Sequence, residues 1–172
     1  NHPHADIRAG QGFLNQVYEA VTASPNWPTT ALVVNYDEWG GFFDHVKPRL
    51  APDARPDLGT GLRGFRVPCL LISPRARRRA IGREVYDHTS VLKMIEWRWH
   101  LDPLTPRDAA ARNLAEVLDF VHPPNLEAPR WPVASAVGLP CSPAGGDFED
   151  WHGLADLADG LGFELPLPVP LG

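Results

Sequence analysis

Apolar positions in the first part of the chain follow two different patterns. Apolar residues at helical spacing, such as Phe13 and Val17, predict a helix over residues 13–23. Pro25 ends this helix, because proline cannot continue one. Residues 1–12, before the helix, predict a loop. Residues 29–36, TTALVVNY, are apolar and β-branched at their centre, which predicts a strand buried on both faces, as in a parallel sheet.

The rest of the chain adds one strand and two helices to this picture. A second apolar run, VPCLLI at 67–72, predicts another buried strand. Cap residues at 87–90 open a predicted helix, and Thr105 opens another whose apolar face runs to Leu118. The order of elements indicates part of an α/β layered fold. Because two strands make a poor sheet, either further strands lie within the chain or other sequence supplies them.

Composition narrows the class of protein. With 172 residues and a net charge of −5, the chain predicts one domain and argues against a general nucleic-acid binder. Residues 75–79, RARRR, are locally basic and predict a solvated loop, with an anion site as the less favoured alternative. Cys69 is expected to be a buried free thiol, and a disulfide with Cys141 stays open. No apolar run approaches a membrane span, and the start at Asn1 predicts a processed, trimmed or partial chain.

The densest chemistry lies in VNYDEWGGFFDHV, residues 34–46. Asp37 and Glu38 fall where the first strand ends, and ligands of open α/β sheets bind at the carboxyl ends of strands. Two adjacent carboxylates repel each other unless a cation lies between them, and divalent metals prefer oxygen ligands. Gly40 and Gly41 permit positive φ beside the pair. The segment therefore predicts a metal site, with a polar turn as the alternative.

Three histidines and one serine are further candidates. His45 follows an aspartate that is expected to orient its ring through a hydrogen bond, although a surface loop position is equally compatible. His2 lies near the start of the chain, where a disordered end is the alternative, and His88 is expected to cap or pack at a helix start. Ser73 is disfavoured as a nucleophile because the proline after it has no N–H for an oxyanion.

Five segments, in order, carry a family resemblance. The chain resembles bacterial phosphoesterases of the phospholipase C and acid phosphatase AcpA type, within the alkaline phosphatase superfamily. The matching segments are NHPHADIRAGQGFLNQVYEAVTASPNW, TTALVVNYDEWGGFFDHVKP, FRVPCLLISPRARR, YDHTSVLKMIEWRW and LTPRDAAARNL. The resemblance implies part of a three-layer αβα, alkaline phosphatase-like fold. Residues 1–122 would then be the C-terminal part of a catalytic domain, and 123–172 a Pro-rich extension that packs on it or is partly ordered.

The resemblance also implies a chemistry. Family members are metal-dependent phosphoric ester hydrolases in which a serine or threonine nucleophile forms a phosphoryl-enzyme intermediate. Asp37 and Glu38 match the family's metal ligands, and His2 matches a histidine that lines the phosphate site. His45 and His88 match family positions, and His45 joins His2 as a catalytic candidate without an assigned step. The implied cofactor is a divalent ion, either Ca, Mg, Mn or Zn, and the implied location is secreted or periplasmic.

The chain departs from the family in what it lacks. The family's N-terminal half carries a Glu-Asn metal pair and the nucleophile, and no Glu-Asn dipeptide occurs here. The chain is therefore expected to hold the C-terminal half of an active site and to be inactive alone. Its expected partners are the missing N-terminal half and a phospholipid or other phosphoester, with no nucleic acid. The alternative is a duplicated or decayed, non-catalytic domain that acts as a binding or assembly module.

Overall fold

The computed structural model describes residues 7–59 and 61–133. Within them the helices are α1 (Ile7–Ala23), α2 (Thr89–Trp99) and α3 (Pro106–Ala110), and the strands are β1 (Leu32–Asn35) and β2 (Cys69–Ile72). Short 3-10 helices lie at Trp27–Thr29, Pro56–Leu58 and Leu114–Val117. Residues 7–35, 68–80 and 117–133 form one compact unit, and 36–59, 61–67 and 81–116 form a second.

The first unit contains the sheet. β1 and β2 pair antiparallel, with Leu32 opposite Ile72 and Asn35 opposite Cys69. The prediction of a parallel sheet is wrong, because an apolar run does not determine the direction of the neighbouring strand. The prediction of burial on both faces is also wrong for these residues, since the side chains of β1 and β2 are half-buried or exposed. Cys69 is exposed and free, so the prediction of a buried thiol is also wrong. It is the first residue of β2, where few neighbours cover it.

Helix α1 is longer than its apolar periodicity predicts. It begins at Ile7, so the prediction of a loop is wrong for residues 7–12. Gly10 and Gly12 lower the local helix propensity, so the sequence pattern does not indicate the first turns. Once a helix exists, however, extending it from the periodic segment costs little free energy. Tyr18 donates a hydrogen bond to the carbonyl of Pro129 at 2.8 Å. This bond ties α1 to the described part of the Pro-rich extension.

The predicted helix from Thr105 to Leu118 is broken. Helix α3 ends at Ala110, because Ala111 takes extended dihedral angles (φ −64°, ψ 148°). The side chain of Asn113 then accepts a hydrogen bond from the Ala115 N–H at 2.9 Å and starts a 3-10 turn. Asparagine competes in this way with the helical backbone pattern, and the apolar spacing alone does not reveal it.

The core of the described residues is small. Its buried hydrophobic side chains are Trp27 in the first unit and Ala111, Leu114 and Ala115 in the second. Many large apolar side chains are exposed, including Phe42 at 81% and Val121 at 88%. Across the described ranges, no helix is long and apolar enough to cross a membrane.

The mixed helix and strand content confirms an α/β chain. The three-layer arrangement stays a prediction, as does the domain boundary after residue 122. His2, Cys141 and residues 134–172 lie outside the described residues.

Candidate functional site

The acidic pair follows β1 directly. Asp37 and Glu38 are both exposed, two and three residues after the strand ends at Asn35. One carboxylate oxygen of Glu38 accepts a hydrogen bond from the Gly40 N–H at 2.6 Å. Asp37 makes no hydrogen bond or ion pair with any residue in 7–59 or 61–133, so its carboxylate is available to a ligand.

A glycine turn closes the segment behind the pair. The Phe42 N–H donates to the Trp39 carbonyl at 3.0 Å, across Gly40 and Gly41. Both glycines have positive φ, 64° and 77°. Positive φ at both central residues is the pattern of a type I′ turn, in which side chains other than Asn, Asp and Gly are strained. The prediction that the Gly pair provides positive φ beside the acids is confirmed.

An aromatic cluster anchors both sides of this turn. The rings of Trp39 and Phe65 meet edge to face, with centroids 5.4 Å apart and an interplanar angle of 63°. Phe43 meets the same ring at 5.3 Å and 62°. Edge-to-face pairs contribute about 0.5–1.5 kcal/mol each beyond the area that they bury. Phe65 therefore holds the residues on either side of the glycines in one arrangement.

Asp44 provides a second anchor through Arg66. The guanidinium binds the carboxylate with two hydrogen bonds, Nε to Oδ2 at 2.6 Å and Nη2 to Oδ1 at 2.9 Å. This Arg66 side chain is the first cause that lowers the pKa of Asp44 to about 2. Asp44 is therefore ionised at neutral pH and bound to arginine, and its role in the segment is structural.

His45 is an exposed imidazole. Its side chain is 82% exposed, and its Nδ1 lies 3.6 Å from Oδ1 of Asp44, beyond hydrogen-bonding distance. The prediction that Asp44 orients the ring through a hydrogen bond is wrong, because Arg66 occupies the oxygens of Asp44. His45 also makes no hydrogen bond to Asp37 or Glu38 among the described residues.

The side chain of His88, the N-cap residue of α2, contacts the acidic segment. Its Nε2 lies 2.9 Å from the carbonyl oxygen of Tyr36, the residue before the acidic pair. At the start of α2 the Thr89 N–H donates instead to Asp87, at 3.0 Å. His88 thus stands at the N-cap position of α2, as predicted, but its side chain makes no cap hydrogen bond and packs toward Tyr36. This contact fixes the backbone next to Asp37.

Sequence reasoning missed the residues that hold the segment in place. Phe65 and Arg66 lie just before the second predicted strand. Arg66 comes 22 residues after Asp44, the acid that it binds. Arg63 behaves similarly, since its Nε binds Oδ2 of Asp87 at 2.7 Å. The only signal in the sequence is an aromatic-arginine dipeptide at the end of a long polar loop. This dipeptide does not indicate which acid each arginine binds.

The acidic pair fits part of a metal site. Asp37 and Glu38 offer hard oxygen donors, as calcium, magnesium and manganese prefer. The described ranges contain no group of three or more His, Cys, Asp or Glu side chains placed to hold a metal ion. The pair therefore supplies part of a ligand set and does not complete one with these residues. His2 lies outside the described residues.

Comparison with known proteins gives a consistent family. A model of the phosphoesterase family matches residues 1–102. Phospholipase C B of Mycobacterium tuberculosis (strain H37Rv) is 37% identical over 149 residues, which cover 74% of this chain and 29% of that protein. Non-specific phospholipase C6 of Arabidopsis thaliana is 34% identical over 148 residues, 75% of this chain and 28% of that protein.

A third relative shows the same partial coverage. Hemolytic phospholipase C of Pseudomonas aeruginosa is 32% identical over 139 residues, 69% of this chain and 19% of that protein. The chain thus spans less than a third of the length of these curated relatives.

Proposed function

The chain belongs to the phosphoesterase family, and we propose that it carries the C-terminal part of the active site of a metal-dependent, phospholipase C-like phosphoric ester hydrolase. Family membership confirms the resemblance seen in the sequence motifs, and the acid phosphatase AcpA part of that resemblance stays a prediction. The observation that carries the proposal is the exposed carboxylate of Asp37 beside Glu38 at the end of β1.

Asp37 and Glu38 would hold the divalent ion. Such an ion, when bound, supplies positive charge that polarises a phosphoryl oxygen. The protein's own contribution is to present two exposed carboxylates at adjacent positions just after β1. The hydrogen bond from Gly40 to Glu38 shares part of that negative charge with the backbone, and it leaves Asp37 as the freer donor.

The anchors of the segment support this role. A ligand site gains when its donors are held in place before the ligand arrives, because less conformational entropy is lost on binding. Phe65 holds the glycine turn, Arg66 holds Asp44, and His88 holds the backbone at Tyr36. We propose His45 as a further group of the site, since its exposed imidazole is open to a substrate. His2 stays a proposed contact to phosphate.

The proposed partner is the N-terminal half of a phosphoesterase domain. Three features support it: the small core among the described residues, the exposed large apolar side chains, and the partial coverage of the relatives. Monomeric proteins rarely expose so many large apolar groups unless another surface covers them. The proposed substrate is a phospholipid or another phosphoester, and the proposed location is secreted or periplasmic.

The test is Asp37→Asn in the intact protein that contains this chain. We expect kcat/KM for a chromogenic phosphodiester to fall by about 100-fold or more, because a metal ligand loses its charge. The matched control is Asp102→Asn, since Asp102 is also exposed and without a partner among the described residues. Circular dichroism and thermal unfolding check that both variants keep the fold.

Two outcomes would contradict the proposal. Unchanged turnover by Asp37→Asn would remove the metal-ligand role, and reproducible turnover by the purified 172-residue chain alone would overturn the half-site. Calorimetric titration of the intact protein with Mn²⁺ or Ca²⁺ separates these cases from the alternative. Cation binding without hydrolysis of any phosphoester would favour a non-catalytic binding module.

A further inference from the structure

His88 lies in the turn that opens α2, and its neighbours on both sides are hydrogen-bonded to each other. Oδ1 of Asp87 accepts the N–H and the hydroxyl of Thr89, at 3.0 and 2.5 Å. The Asp87 N–H donates to Oγ of Ser90 at 3.1 Å, and the Ser90 N–H donates to the Asp87 carbonyl at 2.9 Å. Ser90 is 1% exposed. These bonds hold the backbone of His88 at φ −56° and ψ −33°, so the fold sets the point from which its ring extends.

Arg63 holds the same turn from outside the helix. Its Nε binds Oδ2 of Asp87 at 2.7 Å, and its Nη1 donates to the Leu50 carbonyl at 2.6 Å. The side chains of this ion pair are only 19% and 13% exposed, so solvent screens them less than it screens a surface pair. Both oxygens of Asp87 are therefore engaged, and the start of α2 is tied to the loop that contains Leu50 and Arg63.

The ring of His88 reaches the peptide bond in front of the acidic pair. Its Nε2 lies 2.9 Å from the Tyr36 carbonyl oxygen, and because a carbonyl oxygen only accepts, Nε2 carries the hydrogen and donates it. That oxygen lies in one rigid plane with the nitrogen and the Cα of Asp37. Pairing with β2 stops at Asn35, so the sheet does not hold this plane. The hydrogen bond from His88 therefore sets the direction in which the chain enters Asp37.

We propose that His88 is a positioning residue of the divalent-ion site, which directs Asp37 through the Tyr36 carbonyl, and that Arg63 and Asp87 hold His88 in place. All five residues belong to the second unit. The inference rests on the proposed function, because it assumes that Asp37 binds the ion. His88 touches neither the ion nor the substrate in this role, and its contribution is to reduce the conformational freedom that Asp37 loses on binding.

The experiment is calorimetric titration with Mn²⁺ of the intact protein that contains this chain, in three variants of His88. In His88→Ala the donor is lost, and we expect the Kd for Mn²⁺ to rise about 10-fold, the lower end of what groups behind metal ligands contribute. In His88→Gln the longer side chain places an amide N–H near the position of Nε2, so most of the affinity is expected to return. In His88→Asn the amide lies nearer the position of Nδ1, so this variant is expected to behave like His88→Ala.

Arg63→Gln tests the support behind His88. Loss of the ion pair with Asp87 loosens the turn but leaves the ring present, so we expect a smaller rise in the Kd for Mn²⁺ than in His88→Ala. The matched control is Arg107→Gln. It breaks a pair of similar exposure in the same unit, in which Nη2 of Arg107 lies 3.4 Å from Oδ2 of Asp53 and the side chains are 23% and 15% exposed. This control is expected to bind Mn²⁺ as the wild type does.

The three variants of His88 separate positioning from a purely structural role. Equal losses of Mn²⁺ affinity in His88→Gln and His88→Asn would overturn the inference, because packing of the ring would then matter and the position of the donor would not. Equal losses in Arg63→Gln and Arg107→Gln would overturn the part assigned to Arg63.

Asp37→Asn is titrated with Mn²⁺ in parallel. If this variant loses Mn²⁺ binding while His88→Ala keeps the wild-type Kd, the positioning role is overturned and the proposed function stands. If Asp37→Asn binds Mn²⁺ as tightly as the wild type, the proposed metal site is overturned together with the inference that rests on it. The two failures are therefore distinguishable.

Discussion

The second unit contains two pairs of acidic side chains, one exposed and one buried. The exposed pair, Asp37 and Glu38, lies just after β1 and leaves Asp37 without a partner among the described residues. The buried pair, Glu96 and Asp108, lies between α2 and α3, at 7% and 1% exposure. Each pair consists of two acidic side chains, but only the exposed pair can reach a ligand without opening the fold.

The buried pair is occupied by the fold itself. Oδ2 of Asp108 accepts the Leu104 N–H at 2.7 Å, and the hydroxyl of Thr105 donates to Oδ1. The Thr105 hydrogen bond is the first cause that lowers the pKa of Asp108 to about 2. Burial, followed by a side-chain hydrogen bond to Asp108 and then by the negative charge of that carboxylate, raises the pKa of Glu96 above its usual range. As a carboxylate, Glu96 finds no hydrogen-bond donor for either oxygen within the described ranges, whereas in its protonated form it donates to Asp108.

The difference between the two pairs shows that a shifted pKa is a poor indicator of the functional site in this protein. Strongly shifted pKa values often mark functional sites. Here the largest shifts belong to Asp44, which is bound by Arg66, to Asp108, which accepts hydrogen bonds from Leu104 and Thr105, and to Asp119, which binds a histidine. These groups hold the structure together. In the proposed site, the exposed and unpartnered carboxylate of Asp37 is the better indicator of function.

Removing the buried carboxylate is expected to have the largest effect on stability. In Asp108→Ala the Leu104 N–H and the Thr105 hydroxyl lose their acceptor, and α3 loses part of its N-terminal cap. We expect the Tm to fall by about 5 °C or more. Asp37→Asn, measured in the same way, is expected to change the Tm by less than about 1 °C. Equal Tm losses in the two variants would erase the distinction between the pairs.

Arg66→Gln tests an intermediate case, the carboxylate of Asp44, which lies in the acidic segment but is bound by Arg66. The pKa of Asp44 is lowered from 3.8 to about 2 in the folded protein. The ion pair with Arg66 therefore contributes its full stability to the fold above pH 3.8, and this contribution is lost as the pH falls toward 2. We expect the variant to unfold at a lower urea concentration than wild type at pH 7, by a modest amount because solvent screens the exposed Arg66.

The measurement is urea unfolding of wild type and variant between pH 2 and pH 7. The stability gap is expected to close as the pH approaches 2. Arg83→Gln serves as the control, since Arg83 is exposed and its side chain has no described partner. A gap that is the same at every pH would mean that Arg66 stabilises by packing and not through the Asp44 carboxylate.

Glu96→Gln is expected to give the smallest effect, with the opposite sign. A carboxyl group whose pKa is raised on folding loses stability as the pH rises through its folded pKa, because the charged form is disfavoured in the buried position. A neutral amide avoids that cost. We expect the variant to gain roughly 1–2 °C in Tm over wild type at pH 7 and to match it at pH 4. A lower Tm at both pH values would show that Glu96 makes a hydrogen bond that glutamine cannot replace.

Local patterns in the sequence predicted most of the elements and the candidate pair. The apolar runs located β1 and β2, and the cap residues located the starts of α2 and α3. The Gly-Gly dipeptide predicted the positive φ that both glycines adopt. These features depend on a few neighbouring residues, so their causes are visible along the chain. The ligand roles of Asp37 and Glu38 stay predictions until the metal experiment is done.

The sequence by itself determined where the strands lie, where the backbone must turn and which residues could bind a metal. Only the tertiary structure decided that β2 runs antiparallel to β1, that Arg66 binds Asp44, and that the ring of His88 contacts Tyr36. The reason is physical. Propensity and turn geometry act over a few residues, whereas a charge pair 22 residues apart or a contact 52 residues apart depends on how the chain returns to itself. Asp37 and Asp44 are both aspartates in the same polar segment, but only Asp44 is paired with an arginine among the described residues.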